Sequence, residues 1–178
     1  VDPTQPTPQY QQDYGLAPRT ADITNLPGRG IPDVSANAGP GSPYIIFNST
    51  NNDLDFYGGT SATAPLWAAL AIQINAIFSD QGLPSLGYMN DLLYTATAVA
   101  PASFQDITYG NNRSSYANGG NYTSSNGPIT PKGFGYEAGD DYDLVTGLGS
   151  PNGVLLARAL TALAHRQLSD IDTTDFLQ

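Results

Sequence analysis

Cysteine is absent from this 178-residue chain, so it holds no disulfide, no thiol nucleophile and no zinc–thiolate site. Basic side chains are scarce: Lys and Arg number 6 against 16 acids, a net charge of −10. Phosphate binding needs a basic face, so nucleic acid and anionic membrane are both disfavoured as partners. The 66–78 stretch is the longest apolar run, short of the ~20 residues of a membrane span. There is one histidine (His165), one lysine (Lys132) and one glutamate (Glu137), which leaves little choice of catalytic base beyond aspartate. Charged residues make up only 12% of the chain, and a protein with few ion pairs to lose tolerates acid. That balance, rich in Gly, Ser, Thr, Asn and Tyr, suits a secreted protein or an acidic compartment. The chain opens on Val1 with no signal peptide, so an upstream segment is expected to have been removed or to form another chain.

What is there centres on Tyr57-Gly58-Gly59-Thr60-Ser61-Ala62-Thr63-Ala64-Pro65. Two glycines permit a sharp turn, Thr60 or Ser61 suits a helix start, and Pro65 suits a first turn. Between residues 66 and 78 only Gln73 and Asn75 are polar, so the spacing predicts a helix buried in a large core. Ser61 then reads in two ways. It caps the helix, or it is a nucleophile whose oxyanion gains helix N–H donors and the macrodipole.

The length suits one domain with a substantial core. Residues 1–27, with Pro3, Pro6, Pro8, Pro18 and Pro27, read as an irregular lead-in packed on a surface. Asp33, in a turn leading to a short buried segment, reads first as a carboxylate bonding a neighbouring loop. Residues 44–47 and 54–57 are predicted strands that feed the serine helix, an α/β arrangement. A shorter helix is expected over 88–94, a long surface loop over 110–135, a helix from Pro151 and an acidic, frayed tail over 169–178. His165 falls in the expected last turn of the final helix, where it suits C-terminal electrostatics better than partnership with Ser61. Lys132 sits in the long loop. A base for Ser61 is therefore expected to be a carboxylate or to lie outside this chain.

Two oxygen-rich clusters remain, Phe104-Gln105-Asp106-Ile107-Thr108 and Gly139-Asp140-Asp141-Tyr142-Asp143-Leu144-Val145-Thr146-Gly147-Leu148-Gly149. Carboxylates among glycines, lacking His and Cys, read equally as solvated acidic loops or as hard-oxygen ligands for Ca²⁺.

Together with Gly28-Arg29-Gly30-Ile31-Pro32-Asp33-Val34, Gly59-Thr60-Ser61-Ala62 and Gly87-Tyr88-Met89-Asn90, these clusters resemble the sedolisins, or serine-carboxyl peptidases, in family order over residues 28–163. The resemblance implies a subtilisin-like α/β fold, a parallel sheet flanked by helices, of which residues 1–178 are the C-terminal part. It implies that Ser61 is the nucleophile and that peptides or proteins are the substrate. It also implies one structural Ca²⁺, held by the side chains of Asp106 and Asp143 and the main-chain oxygens of Ile107, Gly139 and Asp141. The family usually has glycine where Asp141 stands. Its glutamate base, the aspartate that orients it and the oxyanion aspartate precede the region matched here, and Glu137 is misplaced to substitute. The expected partner is thus an N-terminal chain of the same peptidase. A subtilisin-type fragment using a histidine elsewhere, or a calcium-stabilised binding module without turnover, are the rival readings.

Overall fold

The computed structural model describes residues 1–39, 41, 43–113 and 134–175. Lys132 and most of the expected 110–135 loop lie outside the described residues. The chain divides into two compact units, Val1–Val34 with Asp106–Gly149, and Ser35–Gln105 with Ser150–Gln178.

In the first unit the proline-rich lead-in does more than pack on a surface. Pro8 takes an extended conformation ahead of a five-residue helix, α1 (Gln9–Asp13), too short for any hydrophobic period to betray it. α1 carries Gln11, which is fully buried. Its side-chain amide pairs with the backbone of Gly30 in both directions, Nε2–H donating to Gly30 O and Oε1 accepting from Gly30 N, each at 2.9 Å. Asp2 and Arg29 form an antiparallel bridge. A buried amide satisfied at both ends holds the turn before Asp33, because an unpaired one would cost about 1–3 kcal/mol.

The second unit carries most of the helices. β1 (Tyr44–Asn48) and β2 (Asp53–Tyr57) pair antiparallel, Ile45 opposite Phe56 and Phe47 opposite Leu54. β3 (Phe104–Gln105) pairs with β4 (Ser150–Pro151), also antiparallel. The described strands thus form two small antiparallel pairs, and none of them makes the parallel sheet expected from the sequence. A four-residue turn between β1 and β2 can only return the chain antiparallel, since parallel neighbours need a long crossover.

α2 (Thr60–Asp80) follows β2 directly. It ends in a paired cap, Gly82 N donating to Ser79 O and Leu83 N to Phe78 O, with Gly82 at φ 69°. α3 (Asn90–Val99) and the 3-10 turn Pro101–Ser103 pack against α4 (Gly153–Asp175). Ile74 and Phe78 of α2, Leu93 and Tyr94 of α3, Phe104, and Leu156 and Leu160 of α4 form the core. Asn152 starts α4 by accepting the Leu155 amide on its side chain, so the helix begins after Pro151 rather than at it. The acidic tail expected after residue 168 continues this helix to Asp175.

α2 departs from expectation in two respects. It starts at Thr60, which places Pro65 inside the helix instead of in its first turn. The serine motif thereby lengthens the apolar stretch to 21 residues, long and apolar enough by length and composition to cross a membrane. It is also far less buried than predicted: Ile74 and Phe78 are covered, whereas Leu66 and Ile72 are 47% and 68% exposed.

Candidate active site

Ser61 is the second residue of α2 and is exposed. The helix N-cap is Gly59, at φ 85°, and no side chain caps the helix. Among the described residues the Ser61 hydroxyl makes no hydrogen bond and no carbonyl takes its amide N–H. The capping role that the sequence left open is therefore not the one Ser61 plays. What the turn presents to solvent is a hydroxyl and an orphan N–H on one residue, at the positive end of a 21-residue helix. A hydroxyl that attacks a carbonyl needs a donor for the oxygen that becomes charged, and that N–H is correctly placed in the chain to serve.

The unit's own histidine sits at the wrong end. His165 Nε2 lies 2.8 Å from Gln81 Oε1, and Gln81 is the C-cap of α2. Twenty residues of helix separate Gln81 from Ser61, ~30 Å at 1.5 Å per residue. His165 is also mid-helix, because α4 runs on to Asp175, so the expected role in a last helical turn is replaced by a link between α4 and the end of α2.

Asp33, in the first unit, is engaged structurally: its carboxylate pairs with the Arg29 guanidinium and accepts from Gln11 Nε2, and its carbonyl accepts the Leu148 amide at 2.9 Å.

The second oxygen-rich site is the loop around Asp143, in the same unit. Asp143 is 9% exposed. Its Oδ1 accepts from the amides of Val145 and Thr146, each at 2.8 Å, and its Oδ2 from the Gly139 amide at 3.1 Å. Asp106 Oδ2 accepts the Asp141 amide at 2.8 Å. These bonds bring Asp106 to residue 141, and Asp143 to residue 139. The carbonyl oxygens of Ile107, Gly139 and Asp141 accept no hydrogen bond among the described residues. Neither Asp106, Asp141 nor Asp143 is in an ion pair there. Burial, reinforced by the charges of Asp141 and Asp106, raises the Tyr14 phenol above its ordinary value of 10.0. No group of three or more His, Cys, Asp or Glu with metal-holding geometry occurs among the described residues. A set of two carboxylates completed by free carbonyls fits a hard cation such as Ca²⁺ and does not suit a softer one.

No family model matches the chain. Kumamolisin of Bacillus sp. (strain MN-32) is 37% identical over 161 residues, 90% of this chain and 25% of kumamolisin. Tripeptidyl-peptidase SED3 of Arthroderma otae is 35% identical over 136 residues, 76% of this chain and 21% of that protein. Among solved structures, Pseudomonas sedolisin, a serine-carboxyl proteinase complexed with two molecules of pseudo-iodotyrostatin, matches with a TM-score of 0.63 at 26% identity. That likeness covers 89% of this chain and 34% of the sedolisin.

The chain belongs to the sedolisin family.

It spans about a quarter of the length of kumamolisin. Where the sedolisin resemblance has glycine, Asp141 adopts φ 65°, a left-handed conformation that aspartate tolerates better than most residues. Sequence reasoning missed how the serine turn is braced. The Gly59 amide donates to Ala38 O at 2.7 Å, and the Trp67 indole donates to Ser35 O at 3.3 Å. The signal was the chain's one tryptophan, six residues after the serine in a helix built mostly from small and aliphatic side chains.

Proposed function

We propose that this chain supplies the nucleophilic serine and a calcium-holding loop to an acid-acting serine-carboxyl endopeptidase, as the C-terminal part of a subtilisin-like catalytic domain. The observation that carries the reading is the placement of Ser61: exposed, uncommitted and leading α2, while the one histidine is tied to the opposite end of that helix. With the one histidine out of reach, the base in this reading is a carboxylate from an N-terminal chain of the same peptidase, as the family resemblance implies. The exposed apolar residues of α2 and of the β1–β2 pair support such a partner, since Leu66, Ile72, Phe47 and Phe56 are each about half exposed or more.

In the assembled enzyme a partner glutamate, oriented by an aspartate, takes the proton from Ser61 Oγ. The oxygen attacks the scissile carbonyl of a peptide or protein substrate. The tetrahedral intermediate then collapses with cleavage of the C–N bond, the leaving amine takes the proton from the glutamate, and water hydrolyses the resulting acyl-enzyme. The Ser61 amide N–H and a protonated partner aspartate hold the oxyanion. A carboxylic acid donates there only while protonated, which sets the activity in acid and suits secretion or an acidic compartment. Asp106, Asp143 and the carbonyls of Ile107, Gly139 and Asp141 hold one Ca²⁺, which supplies positive charge that binds the loop's oxygens together and has a structural role.

The test is peptide hydrolysis by the assembled peptidase across pH. The optimum is expected below neutrality, and Ser61→Ala is expected to lower kcat by roughly 10³-fold or more. An optimum above neutrality points to a histidine base elsewhere, as in a subtilisin-type enzyme. Absence of turnover in the assembled protein leaves a calcium-stabilised binding module.

A further inference from the structure

The first turn of α2 is held by little of its own. Gly59 at the N-cap has no side chain to offer the orphan amides, no acid stands in the first turn, and Pro65 lacks the N–H that would close on the Ser61 carbonyl. The turn is tied from outside to the segment 35–38, which lies outside any helix or strand. At one end the Gly59 amide donates to Ala38 O at 2.7 Å, and a Cβ on Gly58 would lie 3.3 Å from the same carbonyl. At the other end Trp67 Nε1–H donates to Ser35 O at 3.3 Å. The indole is itself stacked on the buried Phe104, ring centroids 6.3 Å apart and planes 24° from parallel. The two ties therefore hold both Ala38 and Ser35 against the start of the helix.

We propose that Trp67 is a positioning residue for Ser61, a role that rests on Ser61 being the nucleophile. Its indole N–H fixes segment 35–38 against α2, and that segment, through Ala38, sets where the serine turn stands. The ring stack alone would pack the helix without fixing the turn's register. Displacement of a reacting oxygen by an ångström is enough to slow attack severely while leaving substrate binding nearly intact.

The experiment uses the assembled peptidase carrying Trp67→Phe, which keeps a ring against Phe104 and removes the N–H. The acylation burst and kcat are expected to fall about tenfold, with KM unchanged within about twofold. Benzothienylalanine at position 67, the same shape with sulfur in place of N–H, repeats the test without altering the packing. Leu93→Val, a core truncation on α3, is the control, expected to lower Tm and leave kcat unchanged. If both position-67 replacements lower Tm but keep kcat, as the control does, the proposal is overturned. If Ser61→Ala retains activity, it is the nucleophile assignment that fails, whatever position 67 does.

Discussion

Asp141, Gly147 and Ser61 each show how a single residue's backbone or hydrogen bonding fixes what it does. Gly147 takes φ 65°, and a Cβ there would run into the backbone carbonyl of Asp33. Its amide also closes on Asp143 O at 3.0 Å. Both constraints belong to the turn that follows the acidic loop, so Gly147→Ala is expected to destabilise the folded protein by about 2–4 kcal/mol. Denaturant unfolding measures it, and a loss below about 0.5 kcal/mol would show that the turn relaxes freely. Asp2 and Asp22 bear on acid tolerance. Side-chain hydrogen bonds from Thr4 to Asp2, and from Thr24 and Thr20 to Asp22, lower both carboxyls below their ordinary value of 3.8. A lowered folded pKa means these bonds stabilise at every pH above the ordinary value. They are lost only as pH falls through the lowered one. Moderate acid therefore leaves both turns intact.

Among the elements, β1 and β2 were legible as strands but not as an antiparallel pair, although the four turn residues between them leave that as the local solution. α3 was legible in kind but began two residues late and ran on to Val99, since the apolar spacing around Leu93 and Tyr94 says little about where an alanine-rich end stops. α2 was legible as a helix and misjudged in burial. Its composition describes a core helix, yet the described residues leave much of its apolar surface exposed. α1 was invisible because a single buried turn has no period, and its importance lies in one polar side chain, Gln11. The serine turn was readable from Gly-Gly-Thr-Ser, whereas its brace was not. Trp67 and Gly59 donate to the backbone carbonyls of Ser35 and Ala38, which sequence does not display.

At the scale of the molecule, the ion pairs among the described residues include Arg29 with Asp33 and Arg113 with Glu137. Among the described residues the acidic side chains around Asp143 have no cationic side-chain partner, and in the proposed reading one Ca²⁺ takes up that charge. Chelation of the assembled peptidase is expected to lower Tm in a manner that added Ca²⁺ reverses, by the linkage of a ligand that binds only the folded state. An unchanged Tm after complete chelation, checked by calorimetry, would remove calcium from the account. The central claim is narrower: Ser61 becomes acylated, using carboxylates that come from outside this chain. The direct measurement is to quench the assembled peptidase in strong acid during turnover of an activated peptide ester and locate the acyl group by peptide mass spectrometry. The account predicts the added mass on the peptide that contains Ser61, in an enzyme whose His165→Ala variant acylates at the same rate. An acyl group on any other residue, or a burst abolished by His165→Ala, would contradict it.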